Sequence, residues 1–346
     1  MTTPAALRIG TRRSLLATTQ SGHVADALEA LGTATELVEI TTDGDRSQAS
    51  GVSLVGAPST GVFVSALRDA LLAGEVDVAV HSLKDLPTYA TEGIALAAVP
   101  VREDPRDVVV ARDGLTLGEL PQGSKVATGS PRRVAQIEAL GLGVELVGVR
   151  GNVDTRIGRI AEGTYDAVVL ARAGLARLGR LEEVTEVLDP LQVLPAPGQG
   201  ALAVECRADD TETLALLARL DDPGTHAAVT AERSLMATLE GGCAAPIGAL
   251  AEVAEGDDGP ELWLRAVVLS EDGALAVRRS ASTALGTDAA SWPAEAAKLG
   301  GDLGAEMLAD GGDELMAQLK EQQRDHSRPT DPNSHPSARS AEVHNP

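Results

Sequence analysis

The firmest constraint in this sequence is an alternation that runs, breaks and resumes. Residues 7–10, Leu7-Arg8-Ile9-Gly10, read as a short first strand. Ser14 can cap a helix reaching about Leu31, with Leu16, Val24, Leu28 and Leu31 along it. Residues 35–41 alternate as a strand, 62–72 have helical spacing ended by Gly74, and Val76-Asp77-Val78-Ala79-Val80 makes a strand. The charged, proline-bounded run Pro100-Val101-Arg102-Glu103-Asp104-Pro105-Arg106-Asp107 then interrupts the pattern. It resumes with a strand at 125–127, a helix opening at Ser130-Pro131, a strand at 144–149, a helix at 153–160 and a strand at 167–170. A second break, Pro195-Ala196-Pro197-Gly198-Gln199-Gly200, leads into a strand at 201–205.

Strand, helix and strand at this spacing build parallel ladders, and such sheets take ligands at the carboxyl ends of their strands. Two breaks predict a chain that passes twice between two such domains, which is the geometry of a hinge. Further on, 211–220 and 225–239 have helical spacing. Three alternating strands fall near 247–254, 261–269 and 274–283, and a last helix covers about 289–308. The predicted fold class is α/β: two domains with mixed, mostly parallel sheets, plus a small α+β C-terminal domain. The boundaries put residues 1–102 and 201–220 in the first domain, 103–200 in the second and 221–321 in the third. Residues 322–346 are rich in Pro, Ser, His, Asn and charge, and are expected to form a disordered tail.

Aromatic residues are 1% of the chain, so its cores have to be filled by Ala, Val and Leu. A net charge of −22 argues against a nucleic-acid partner, because phosphate contacts need many uncompensated cations. It favours a soluble, self-repelling cytoplasmic protein. The N-terminus has no basic stretch leading into a long apolar run, so no signal peptide is expected. No window approaches the roughly 18 apolar residues of a membrane span. The two cysteines, Cys206 and Cys243, make neither a disulfide framework nor a zinc site, and no His/Cys/Asp cluster has metal-ligand spacing.

Position then carries the argument. Cys243 lies in Leu239-Glu240-Gly241-Gly242-Cys243-Ala244-Ala245-Pro246-Ile247-Gly248, where two glycines and a proline exclude a helix or a central strand and set the thiol on a loop tip. Cys206, inside an apolar strand, reads as filler. Asp85 ends Val80-His81-Ser82-Leu83-Lys84-Asp85, just past a buried strand. A carboxylate there either forms a turn or stabilises a developing cation near an electron-rich ring. Arg132 and Arg133 follow Ser130 at a helix start, where free backbone amides also favour anions. With Arg150, Arg156, Arg172 and Arg177 they form a basic region in an acidic chain, suited to a ligand bearing several carboxylates. No aromatic platform accompanies them, as single-stranded nucleic acid would require. Residues 42–63 are long for a structureless connection and are expected to act as a lid ending at Phe63, the one phenylalanine.

Taken together, these stretches resemble the porphobilinogen deaminase (hydroxymethylbilane synthase) family. The matches are Arg8-Ile9-Gly10-Thr11-Arg12, Val80-His81-Ser82-Leu83-Lys84-Asp85-Leu86-Pro87, Arg102-Glu103-Asp104-Pro105-Arg106-Asp107, residues 128–133, Arg150-Gly151-Asn152-Val153, and the segments 194–201 and 239–248. They follow the family's order over about residues 7 to 310 and are jointly specific. The resemblance implies three domains, the first two like periplasmic binding proteins, with an active site in the cleft between them. It implies a dipyrromethane cofactor joined by thioether to Cys243. The implied enzyme condenses four porphobilinogen molecules onto that primer with loss of ammonia and releases hydroxymethylbilane by hydrolysis. The family's catalytic aspartate falls on Asp85. Its cofactor-binding positions fall on Cys243, Lys84, Ser82, Asp45, Thr128, Ser130, Arg132, Arg133 and Arg150. Its substrate-binding positions fall on Arg12, Ser14, Arg156, Arg177, Gln199 and Phe63. A monomer without metal is implied.

Two departures concern the lid and a turn. Gly56-Ala57-Pro58-Ser59-Thr60-Gly61-Val62-Phe63 lacks the lysine that usually precedes the last glycine, and Gly129 stands where serine is usual. Two rivals remain at this point. A hinge-closing binding protein for a carboxylated ligand would need no covalent anchor, so Cys243 argues against it. A thiol hydrolase would need a base, and the only histidine near the site, His81, precedes a lysine and an aspartate that such chemistry does not require.

Overall fold

The structure, a computed structural model, describes residues 6–40, 59–241 and 245–327; the side chains of 59–63 and 322–327 lie outside that description. The first domain is a five-stranded sheet in the order β2-β1-β3-β10-β4, formed by β1 (Leu7–Thr11), β2 (Thr35–Glu39), β3 (Val78–Ser82), β4 (Ile94–Ala98) and β10 (Leu202–Arg207). Helices α1 (Leu15–Ala30), α2 (Ser59–Leu72) and α6 (Thr211–Leu217) accompany it. The second domain repeats the plan in the order β7-β6-β8-β5-β9, from β5 (Asp107–Ala111), β6 (Lys125–Thr128), β7 (Glu145–Gly148), β8 (Ala167–Ala171) and β9 (Glu186–Val187). Its helices are α3 (Pro131–Glu138), α4 (Val153–Ala161) and α5 (Arg172–Arg177).

Each sheet holds two parallel and two antiparallel ladders. The parallel half is the βαβ pattern legible in the sequence. The antiparallel half comes from the strand that arrives from the hinge: β10 runs against β3, and β5 runs against β8. The sheets are therefore mixed, with parallel pairing covering half of each. β5 was not expected, because its first residue, Asp107, closes a charged run that reads as connector. β4 and β9 carry no distinct period and were also not expected.

The third domain is a three-stranded antiparallel sheet, β11 (Ile247–Gly256), β12 (Gly259–Leu269) and β13 (Ala276–Ala284), packed on α7 (Pro223–Thr238) and α8 (Trp292–Met307). A wide turn at Leu308–Gly312 then leads into α9 (Asp313–Ser327). This helix extends past Gln322, where a tail was expected to begin. Leu315, Met316 and Leu319 are buried in the third domain's core and fix its inward face. The largest fully buried side chains of the described residues are all Leu or Ile, as the scarcity of aromatics requires. Each contributes on the order of 1.5–3 kcal/mol of burial.

The two segments that cross between the first two sheets, read from the sequence as a hinge, run side by side. Glu103 N donates to Gly200 O at 3.3 Å. Gly200 has φ +89, and a Cβ there would stand 2.3 Å from Glu103 O, so no other residue lets the segments pass this closely. Gly198, at φ +74, is less crowded, a Cβ there standing 3.3 Å from both Leu83 and the backbone N of Lys84. The hinge is thereby pressed directly onto the loop that carries Lys84 and Asp85.

Candidate active site

The first wall of the cleft is built at the carboxyl ends of β1 and β3. Beyond β1, Ser14 caps α1, its Oγ accepting from Ala17 N at 3.3 Å, which sets Arg12 and Ser14 at the cleft edge. Beyond β3, residues Leu83–Asp85 form a 3-10 turn. Leu83 and Leu86 are buried on either side of it, so Lys84 and Asp85 face out between two anchors. From the third domain, Arg233 on α7 donates to Leu86 O at 3.1 Å and Pro87 O at 2.6 Å, bracing the turn from behind. Ser82 exchanges hydrogen bonds with the buried Gln20. The half-buried Asp85 carboxylate accepts no hydrogen bond from any described residue. Lys84 donates from Nζ to Gln199 Oε1 at 3.2 Å. Burial lowers its pKa, Asp85 opposes that, and the nearby guanidinium groups add to it, bringing the ammonium down to about 8.

The second wall comes from the loops after β6, β7 and β8. Arg133 is buried and donates to Val169 O at 2.9 Å and to Asp107 Oδ1 at 2.8 Å. Asn152 caps α4 by accepting from Thr155 N at 2.8 Å, which places Arg156 above Gly151, whose carbonyl it meets at 2.9 Å. Arg177 on α5 donates to the hinge carbonyl of Gly200 at 2.6 Å. Burial weakens the hold of Arg156 and Arg177 on their protons relative to free guanidinium groups, yet both stay charged.

Between the walls lies a cavity of about 280 Å³. It brings together Arg12, Ser14, Ser82, Lys84, Asp85, Arg133, Arg156 and Arg177, all of them positions the sequence singles out. Five cations face two carboxylates, Asp85 and Asp154, and Leu15, Leu16, Leu170 and Leu178 supply an apolar side. A space with that lining suits a flat apolar ring bearing several acid groups. No motif pointed to these residues: Leu15 and Leu16 open α1, Gln20 lies a turn further along it, Leu170 is near the end of β8 and Leu178 closes α5.

Other expected positions do not line this cavity. Arg132 turns inward, its Nη2 2.8 Å from Asp107 Oδ2 and its Nη1 bonded to Leu194 O, and is 3% exposed. Gln199 is fully buried between Lys84, Pro105 O and Asp107. Thr128 is buried and accepts from Ser130 N, and Ser130 opens α3 without a side-chain cap bond. Arg150 is exposed and makes no hydrogen bond or ion pair among the described residues. Asp45, Phe63 with the lid, and Cys243 lie outside the described side chains. Gly129 packs so close to Val149 O that a Cβ would stand 2.7 Å from it, which is the local reason serine does not fit here without a shift. His81 is buried 3.3 Å from Glu205 and does not line the cavity. The thiol of Cys206 is fully buried and pushed up to about 11, so it is inert. Among the described residues no cluster of His, Cys, Asp and Glu could hold a metal ion.

Two family models match the chain. One, "porphobilinogen deaminase, dipyromethane cofactor binding domain", covers residues 7–215, and the other, the porphobilinogen deaminase C-terminal domain, covers 226–309. Among curated proteins, the porphobilinogen deaminase of Mycobacterium tuberculosis (strain ATCC 25618 / H37Rv) is 57% identical over 315 residues, spanning 90% of this chain and 98% of that protein. Porphobilinogen deaminase 1 of Streptomyces coelicolor is 58% identical over 323 residues, spanning 91% and 99%. Among solved structures, the periplasmic VFT2 domain of BvgS from Bordetella pertussis is 17% identical, with a TM-score of 0.37 over 62% of this chain and 86% of that one. That likeness is too slight to argue from.

Proposed function

The chain belongs to the porphobilinogen deaminase family, and from that premise we propose how its own residues perform the reaction: stepwise deaminating condensation of four porphobilinogen molecules onto a covalent dipyrromethane primer, then release of hydroxymethylbilane by water. The observation that carries the assignment of roles is the position of Asp85, a carboxylate with no hydrogen bond or ion pair to a described residue in a cavity otherwise dominated by cations.

Each pyrrole of the primer and substrate bears two carboxylates, and the cleft answers with Arg12, Lys84, Arg133, Arg156 and Arg177. Arg133 Nε is buried without a partner, a donor still to be satisfied, so the residues present fit such a group. Lys84, Ser82 and Arg133 hold the primer's side chains, while Arg12, Ser14, Arg156 and Arg177 receive those of the incoming substrate. When bound, the dipyrromethane supplies the free pyrrole carbon at which units are added. Cys243 tethers it from the third domain, in keeping with the loop chemistry of its sequence.

Asp85 works on the ring nitrogens. Departure of ammonia from porphobilinogen leaves positive charge spread into the pyrrole, and a fixed carboxylate at the N–H stabilises that charge as it forms. It can then hold the proton that must leave when aromaticity is restored. The leucines exclude water from the ring faces, which strengthens each of these interactions. Arg132, Gln199 and Thr128 act from beneath the cleft as supports. Asp45 and Phe63 belong with the lid in this reading, and Arg150 with a later position of the growing chain.

The same reading makes the protein a cytoplasmic monomer with no nucleic-acid partner. Its net charge of −22 supports the last point. No described helix is long and apolar enough to cross a membrane. A non-catalytic binding protein is not favoured, since it would need neither Asp85 nor a tethering thiol. The deciding experiment is intact-protein mass spectrometry. The purified chain should exceed its sequence mass by two pyrrole units, and Cys243→Ser should remove the excess. A wild-type mass equal to the sequence mass, with activity intact, would refute the tether.

A further inference from the structure

Asp107 lies beneath the cleft and is fully buried, although the sequence shows it only as the end of a charged run. Its carboxylate is met from three directions. Arg133 Nη2 donates to Oδ1 at 2.8 Å, Gln199 Nε2 donates to the same oxygen at 2.7 Å, and Arg132 Nη2 stands 2.8 Å from Oδ2. Gln199 then offers its Oε1 to Lys84 Nζ at 3.2 Å. One carboxylate of the second domain is thus a single amide away from a lysine of the first. An amide suits that middle place because it donates to the anion and accepts from the cation at once.

We propose that Asp107 is a positioning residue for the reaction, fixing Arg133 on one wall and, through Gln199, Lys84 on the other, so that both cations meet a ligand carboxylate at a preset spacing. This rests on the role of the cleft argued above. Two features distinguish it from simple neutralisation of buried charge. Neutralising Arg132 and Arg133 requires no link to a lysine across the hinge. The two arginines are also unequal: each keeps a buried Nε unbonded, but only Arg133 lines the cavity, where a ligand can reach it. One carboxylate balances one guanidinium, so the pair retains a positive charge on the ligand side. Preset cations of this kind lower the reorganisation needed when the ligand arrives.

The surroundings of Lys84 give a direct readout. Burial lowers its pKa, Asp85 raises it, Arg133 lowers it, Asp107 raises it and Arg132 lowers it. Arg12, Arg156, Arg177 and Asp154 face the same cavity from other elements. Asp107 is therefore one of the groups that keep the ammonium protonated, and losing its charge must lower the titration midpoint.

The chain has four lysines, Lys84, Lys125, Lys298 and Lys320, so 13Cε-lysine NMR on the full protein can follow each one, with Lys84 assigned from Lys84→Arg. Lys84 should titrate at about 8, well below an ordinary lysine. Asp107→Asn should lower its midpoint further, by about one pH unit, and raise KM for porphobilinogen about tenfold. Should Asp107→Asn not fold, Gln199→Met cuts the link while leaving both arginines paired, and should move the midpoint and KM the same way. An unmoved midpoint in a folded variant overturns the proposal, as does a moved midpoint with unchanged KM. A wild-type mass lacking the two pyrroles would instead tell against the proposed function, and the titration would still decide whether Asp107 governs Lys84.

Discussion

Glu232 receives both arms of the Arg102 guanidinium, Nη1 at 2.7 Å on Oε1 and Nη2 at 3.1 Å on Oε2, and is fully buried while doing so. The same carboxylate accepts from Gly198 N at 2.6 Å and Ala251 N at 2.8 Å, and Arg102 Nε donates to Gln199 O at 2.7 Å. One ion pair therefore fastens α7 and β11 of the third domain to both hinge segments. The domain that carries the cysteine loop is registered against the crossing on which the first two domains would turn.

Removing one partner of that pair strands a buried charge. Glu232→Ala should cost on the order of 3–5 kcal/mol, read as a lower urea midpoint. Replacing both, Arg102→Met with Glu232→Met, should cost clearly less than the two single changes together, because no charge is left buried alone. Additive costs in the double variant would contradict the coupling.

A second buried carboxylate controls behaviour in acid. Burial would raise the pKa of Glu205, but Arg68, bonded at 2.9 and 2.6 Å, together with His81 holds it down at about 2. The folded pKa lies below the unfolded one, so the stabilisation is fully present above about pH 4.5 and is lost as pH falls toward 2. Its size is on the order of 3 kcal/mol. The wild type should therefore lose stability steeply across that window in urea titrations at fixed pH. Glu205→Gln should be less stable at neutral pH and show a flatter acid limb. An equally steep limb in the variant would show that other groups control it.

The parallel halves of both sheets, the hinge crossings and the third-domain strands are legible in sequence because each carries its own period or punctuation. β5 is not, since Asp107 takes its meaning from Arg133 and Gln199, 26 and 92 positions away, and partners at such distance leave no local pattern. α9 is hidden by the polar, glycine-containing turn before it, although Leu315, Met316 and Leu319 have helical spacing. Within the site, motifs locate the arginine pair but not its orientation. Neighbours on a helix point about 100° apart, so only the packing of α3 decides that Arg133 lines the cavity and Arg132 the interior.

That difference in orientation separates two substitutions of one chemical kind. Arg132→Met removes the ion pair to Asp107 Oδ2 and one of the two donors to Leu194 O, leaving only Gln136 Nε2 there, and should cost about 1–3 kcal/mol. Arg156→Met removes a cleft cation whose side chain donates, among the described residues, only to Gly151 O, and should change stability by less than about 1 kcal/mol while raising KM for porphobilinogen about tenfold or more. Melting curves and steady-state kinetics on the two proteins check this. Equal losses of stability would remove the distinction drawn between them.

Asp85 should show the opposite separation, of chemistry from binding. Its carboxylate bonds to no described residue, so Asp85→Ala should leave the melting temperature close to that of the wild type. The primer is held by cations and by Cys243 in the proposed arrangement, so the variant's intact mass should still include the two pyrroles. Turnover should fall by roughly 10²–10⁴ or more, the loss expected when a fixed charge is withdrawn from a developing cation. Asp85→Asn keeps the shape and a hydrogen-bond acceptor but not the charge, and should recover little of that loss. Asp85→Glu keeps the charge one methylene away and should recover more. If Asn recovers as much as Glu, the carboxylate acts by hydrogen bonding alone, and the electrostatic role given to Asp85 is wrong.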